Sequence, residues 1–235
     1  MRDSWRHFIA EFVGIFGLVF VGGAAIMATS AHTESPLLAV AVAHGLILSI
    51  MVTATMRISG HLNPAVTLGF LVTRRIEPMM GMLYIVAQLL GALLAAYALK
   101  AIFPHDVAAA TRLGGQSLAV DVTFAQGIFA EAIATFFLVF AVFGTAVDPH
   151  APKVGGFAIG LTVAADILAI GPLTGASMNP ARSLGPAVAS GQFEAQGVYW
   201  IGPILGGIAA ALLYDQIFLR RGKEPLSHGP VEPRG

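Results

Sequence analysis

Two tripeptides, Asn63-Pro64-Ala65 and Asn179-Pro180-Ala181, each open an apolar stretch too short to cross a membrane, inside a chain otherwise built to cross one. Six apolar runs, at residues 8–28, 36–56, 79–99, 124–147, 154–173 and 198–219, have the roughly 20 residues a helix needs to span ~30 Å of hydrocarbon. The runs that follow the tripeptides, 65–72 and 181–189, do not. A chain that is 56% hydrophobic and 11% charged has the balance of an integral membrane protein, with the lipid bilayer as its solvent. Net charge is zero, so no basic field argues for nucleic acid. Cysteine is absent, which excludes disulfides, thiolate metal sites and cysteine nucleophiles. The seven histidines show no i,i+4 pair, so no metal site and no cofactor are expected.

The runs form a repeat. "AEFVGIFGLVFVGGAA" from residue 10 aligns with "AEAIATFFLVFAVFGTA" from residue 130, and "HGLILSIMVTATMRISGHLNPAVTLG" aligns with "IGLTVAADILAIGPLTGASMNPARSLG". The Glu11–Glu131 offset is 120 residues and the Asn63–Asn179 offset 116, so each copy holds three spans and one short helix. The recurrence of the first run in mid-chain, with a glutamate in it, marks it as a span and not a cleaved leader. One transmembrane domain is expected over 1–221, with repeats at about 8–100 and 122–219, and a flexible tail at 222–235 rich in proline, glycine and charge.

Three spans per copy place the second copy upside down relative to the first. With the N-terminus inside, ten basic residues are cytoplasmic (Arg2, Arg6, Arg57, Arg74, Arg75, Lys153, Arg220, Arg221, Lys223 and Arg234), against Lys100, Arg112 and Arg182 outside. That asymmetry puts both termini in the cytoplasm. Separately, the cell (inner) membrane is the expected location, since the chain carries no long regulated tail. Asparagine is a strong N-cap and proline is favoured at the first helical position, so each Asn-Pro starts a helix. A half-length helix must enter and leave on one side, and the backbone ahead of it is tolerated only where protein buries it or a polar cavity hydrates it. The expected carbonyl rows are Gly60, His61 and Leu62 in one copy and Gly175, Ser177 and Met178 in the other. Two inverted half-helices bring their positive ends together near the midplane, which makes a narrow polar path. Glu11 and Glu131 are costly in a bilayer and are expected to face protein, bracing the re-entrant loops. Asp166 has no counterpart in the first copy and is assigned a local hydrogen bond. Gly156 with Gly160, and Gly202 with Gly206, suit close helix packing.

From Glu11 to Leu219 the chain resembles the aquaporin (major intrinsic protein) family. The carriers are the paired Asn-Pro-Ala boxes, the Ala-Glu heading each repeat, "YIVAQLLGA" in the third span and "NPARSLGP". The resemblance implies an all-α transmembrane fold of six spanning helices plus two re-entrant half-helices, a pore in each monomer, and a homotetramer. It implies a passive water channel that excludes protons and ions, is not an enzyme, and also passes small neutral solutes such as ammonia or hydrogen peroxide.

The resemblance also carries a selectivity filter of His44, Ile167, Ala176 and Arg182. The first box, Ser-Gly-His-Leu-Asn, lacks a residue the family usually has after the glycine. If the gap lies in the loop the first filter residue is His44; counted straight back from Asn63 it is Ala43. The pair Gly45-Leu46 keeps the family pattern and favours His44. This set differs from the Phe, His, Cys or Thr, Arg of strict water channels and resembles the plant vacuolar (tonoplast intrinsic) type. Ser183, Ala187, Tyr199 and Trp200 match the water group and not the glycerol facilitators. A secondary transporter shares inverted repeats and broken helices but needs a titrating group in its path, for which His44 is the one candidate. An intramembrane enzyme needs a nucleophile with a base, and no such set is visible.

Overall fold

A computed structural model describes residues 4–30, 36–152 and 154–219. Spanning helices are α1 (Ser4–Thr29), α2 (Pro36–Thr55), α4 (Pro78–Ile102), α6 (Phe124–Val142), α7 (Phe157–Thr174) and α9 (Val198–Tyr214). The short helices are α3 (Pro64–Val72), α5 (His105–Ala110) and α8 (Pro180–Ser190). A π-helical turn extends α6 through Phe143–Val147 and another extends α9 through Asp215–Leu219. Arg2, Lys153, Arg220, Arg221, Lys223, Arg234 and the tail at 222–235 lie outside the described residues.

Local chemistry fixes the short helices as the sequence suggests. Asn63 is extended (φ −161°, ψ 122°) and its side chain accepts from Ala65 N, with Pro64 at the first helical position. Asn179 repeats this, accepting from Ala181 N and Arg182 N, and α8 stops at Gly191, whose φ of 76° is left-handed. The α6 start is a capping box between Thr123 and Gln126.

Packing follows the inverted repeat. The long helices pair α1 with α4 and α6 with α9, while α2 meets α7 across the pseudo-two-fold. Each half-helix packs on the third span of the opposite repeat, α3 on α9 and α8 on α4. Gly206 lies so close to the backbone of Ala132 that a Cβ would come 2.9 Å from its Cα and nearer still to its carbonyl. Gly45 faces the Gly160 carbonyl with similar closeness. These contacts are the close approach that small residues allow between helices in lipid. On the outer faces apolar side chains remain exposed, as on α4 with Met79, Met82, Val86, Leu90 and Leu94, matching a hydrocarbon surround. Arg75 at the end of α3 pairs with Asp215 at the end of α9 (2.6 Å), and Lys100 of α4 donates to the Ala189 carbonyl near the end of α8 (2.7 Å). The two half-helices therefore finish at opposite ends of the bundle.

Candidate functional site

The first turns of α3 and α8 meet in the middle of the bundle. Asn63 Nδ2 donates to the Met178 carbonyl and Asn179 Nδ2 donates to the Leu62 carbonyl, each at 2.8 Å. Each side-chain oxygen caps its own helix, and each amide keeps one N–H beyond the bond to the opposite loop. Both asparagines border a narrow internal cavity of about 20 Å³, room for about one water.

The loops that present them are not uniformly extended, a difference from the carbonyl rows expected above. Leu62 (φ 51°), Ala176 (φ 48°) and Met178 (φ 54°) are left-handed, which is costly for residues with a Cβ. Two buried carboxylates hold this geometry. Glu11 accepts from His61 N (2.8 Å), Leu62 N (2.7 Å), Gln88 Nε2 (2.7 Å) and the Ser59 hydroxyl. Glu131 accepts from Thr174 Oγ1 (2.7 Å), Ser177 N (2.9 Å) and Met178 N (2.6 Å). The turns at Leu62 and Met178 aim their carbonyls at the opposite asparagine, so these two oxygens each accept a protein hydrogen bond.

Above the asparagines the cavity reaches His44 and Arg182, both buried. His44 Nδ1 lies 2.8 Å from the Val40 carbonyl, which can only accept, so Nδ1 carries the proton. Nε2 then accepts from Arg182 Nη2 at 2.8 Å. It is His44 and not Ala43 that reaches the arginine. Assigned with its oxygen toward the guanidinium, the orientation in which both groups find partners, the Gln116 amide accepts from Nη1 and, at 3.1 Å, from Nη2. Arg182 is thus held by two neutral acceptors, with Glu131 within electrostatic reach. Ile167 and Gly175 border an outer cavity of about 460 Å³, together with Leu37, Val40 and Gly115. Ala176 is fully buried and borders neither cavity; its N–H bonds to Thr174 Oγ1 (3.0 Å).

Gly60, His61, Leu62, Ser177 and Met178 all line the narrow cavity, with Leu18, Leu48, Val52, Val66, Leu138, Val142, Ile159 and Val163 as its apolar wall. The His61 imidazole, tilted 39° against the Phe70 ring and edge-on to Tyr84, is a second histidine on the path besides His44. Asp166 does not fill the role assigned to it throughout: its Oδ2 is buried without a hydrogen-bond partner. Gln116 was not anticipated, since nothing in its loop's sequence ties it to an arginine 66 residues on. Among the described residues no cluster of metal-ligating side chains occurs.

The profile of the major intrinsic protein family matches residues 1–214. The chain is 43% identical over 232 residues to Aquaporin TIP4-4 of Zea mays, covering 94% of this chain and 90% of that one. It is 42% identical over 226 residues to Aquaporin TIP2-1 of Arabidopsis thaliana, covering 92% and 88%. In architecture it is similar to the aquaglyceroporin from Plasmodium falciparum, with a TM-score of 0.79 at 24% identity over 93% of this chain and 98% of that one.

Proposed function

The chain belongs to the major intrinsic protein family, and from that premise we infer that it is a passive transmembrane water channel, open also to small neutral solutes and closed to protons and ions. The observation that carries this reading is the meeting of Asn63 and Asn179 at one point on a cavity with room for about one water. In this reading the free N–H of each amide donates to the oxygen of a single water. Its hydrogens then point away in both directions, and it cannot relay a proton along the file. The N-termini of α3 and α8 converge there, each with roughly half a positive charge, which opposes a cation at the same point.

Arg182 and His44 form the outer filter in this account, with Ile167 on the wider cavity beyond it, Ala176 contributing no lining side chain, and Gln116 as a further support of the arginine. The fixed guanidinium repels cations and, with His44, replaces hydration partners of an entering water. Ile167 supplies an apolar wall where a bulkier polar or aromatic group would narrow the passage. Ammonia and hydrogen peroxide, small and capable of hydrogen bonding, are the solutes this filter suits besides water. We extend the proposal to a homotetramer with one pore per protomer, which the family likeness supports, and to a cell membrane with both termini inside, an orientation that the distribution of Lys and Arg supports.

Proteoliposomes loaded with a pH-sensitive dye test the selectivity directly. An imposed ammonia gradient should alkalinise the lumen faster than in empty vesicles, while an imposed proton gradient should decay no faster than in lipid alone. Accelerated proton decay would overturn the proposed exclusion.

A further inference from the structure

We propose that Gly22, on a helix that lends no side chain to the filter, is the residue that positions the His44 imidazole against Arg182. This rests on the filter reading above and assigns a specificity role outside the filter itself.

Gly22 lies in α1 one turn beyond Leu18, which lines the narrow cavity. The His44 ring occupies the space that a Cβ at Gly22 would take. A Cβ at Gly22 would stand 2.7 Å from Cε1 and closer still to Nε2 and Cδ2, the edge of the ring that bonds Arg182. Ordinary contact between carbon atoms is about 3.5–4.0 Å, so a methyl here forces the ring to retreat by roughly 1 Å or more. The far edge of the ring cannot yield freely, because Nδ1 is tied to the Val40 carbonyl at 2.8 Å on the same helix. The displacement therefore swings the Nε2 edge off α1 and over the lumen, and it breaks the 2.8 Å bond to the guanidinium. Absence of a side chain at position 22 holds the filter open and His44 in register with Arg182.

The test is a cycle of Gly22→Ala, His44→Ala and the double variant, each reconstituted and compared for osmotic water permeability and for urea entry. Gly22→Ala is expected to lower water permeability several-fold. His44→Ala removes the ring and widens the filter, and adding Gly22→Ala to it should then change nothing. An unaltered Gly22→Ala channel overturns the proposal, and so does an equal fold-loss in the two backgrounds, which would mark a defect of α1 itself. If Gly22→Ala does not fold while the double variant does, the clash with His44 is confirmed. If neither folds although His44→Ala does, the proposal fails.

A wild type with no flux above lipid would refute the channel reading without touching this one. Gly22 is then judged by the ¹⁵N resonance of His44 Nε2, identified by its loss in His44→Ala. Movement of that line in Gly22→Ala supports the role, and an unmoved line overturns it.

Discussion

Replacing Glu131 by glutamine changes one atom, and its effect can be worked from the hydrogen bonds. Oε1 accepts from Thr174 Oγ1 and Ser177 N, and Oε2 accepts from Met178 N at 2.6 Å. An amide has one acceptor oxygen, which takes the two-donor position, so its NH₂ faces the Met178 N–H. A buried N–H left without a partner costs about 1–3 kcal/mol. The two surviving bonds change from charge-assisted to neutral and lose about 1 kcal/mol each. Relief from burying a carboxylate offsets part of this, leaving a net loss of about 2–4 kcal/mol. For a chain of this size that corresponds to a fall of roughly 5–15 °C in apparent Tm. The perturbation also travels, because Glu131 holds the N–H of the left-handed Met178, whose carbonyl is the acceptor for Asn63. Glu131→Gln should therefore lower both the melting temperature in detergent, read from tryptophan fluorescence, and the water flux in proteoliposomes. A Tm within about 1 °C of wild type together with full flux would refute the bracing argument.

Asn179→Asp keeps the acceptor that caps α8 but loses the donor to the Leu62 carbonyl and adds a negative charge where two helix N-termini converge. It should admit cations, seen as a salt leak absent from wild type. Gly206→Ala drives a methyl into the Ala132 backbone and should destabilise the α6–α9 pair by about 1–3 kcal/mol, measured as a lowered Tm. Asp215→Asn removes the charge that pairs with Arg75; Asp215 is buried while the arginine side chain is one-third exposed, so the loss should be about 1–2 kcal/mol with unchanged flux.

The fold was legible because membrane insertion leaves few options. Runs of about 20 apolar residues can only span, and an Asn-Pro heading a run of eight can only open a re-entrant helix. The repeat then fixed the inversion, and with it the meeting of Asn63 and Asn179. Pairings across the pseudo-two-fold were out of reach, since apolarity all round a helix does not say which neighbour covers which face. The left-handed turns at Leu62 and Met178 were hidden for another reason. Neither residue type signals positive φ; the conformation is imposed by Glu11 and Glu131 from other helices. Spacing alone left His44 and Ala43 both open, and the 2.8 Å contact with Arg182 separates them. Gln116 was invisible because it reaches the arginine from an irregular loop, where no period predicts which way a side chain faces.

The most direct test of the central claim is stopped-flow light scattering of proteoliposomes shocked with an impermeant osmolyte, run over a temperature series beside empty vesicles. An open water pore gives faster shrinkage, with a lower activation energy, than the bare bilayer does. Shrinkage at the bare-lipid rate, with the lipid's own activation energy and the protein verified in the vesicles, would contradict that claim.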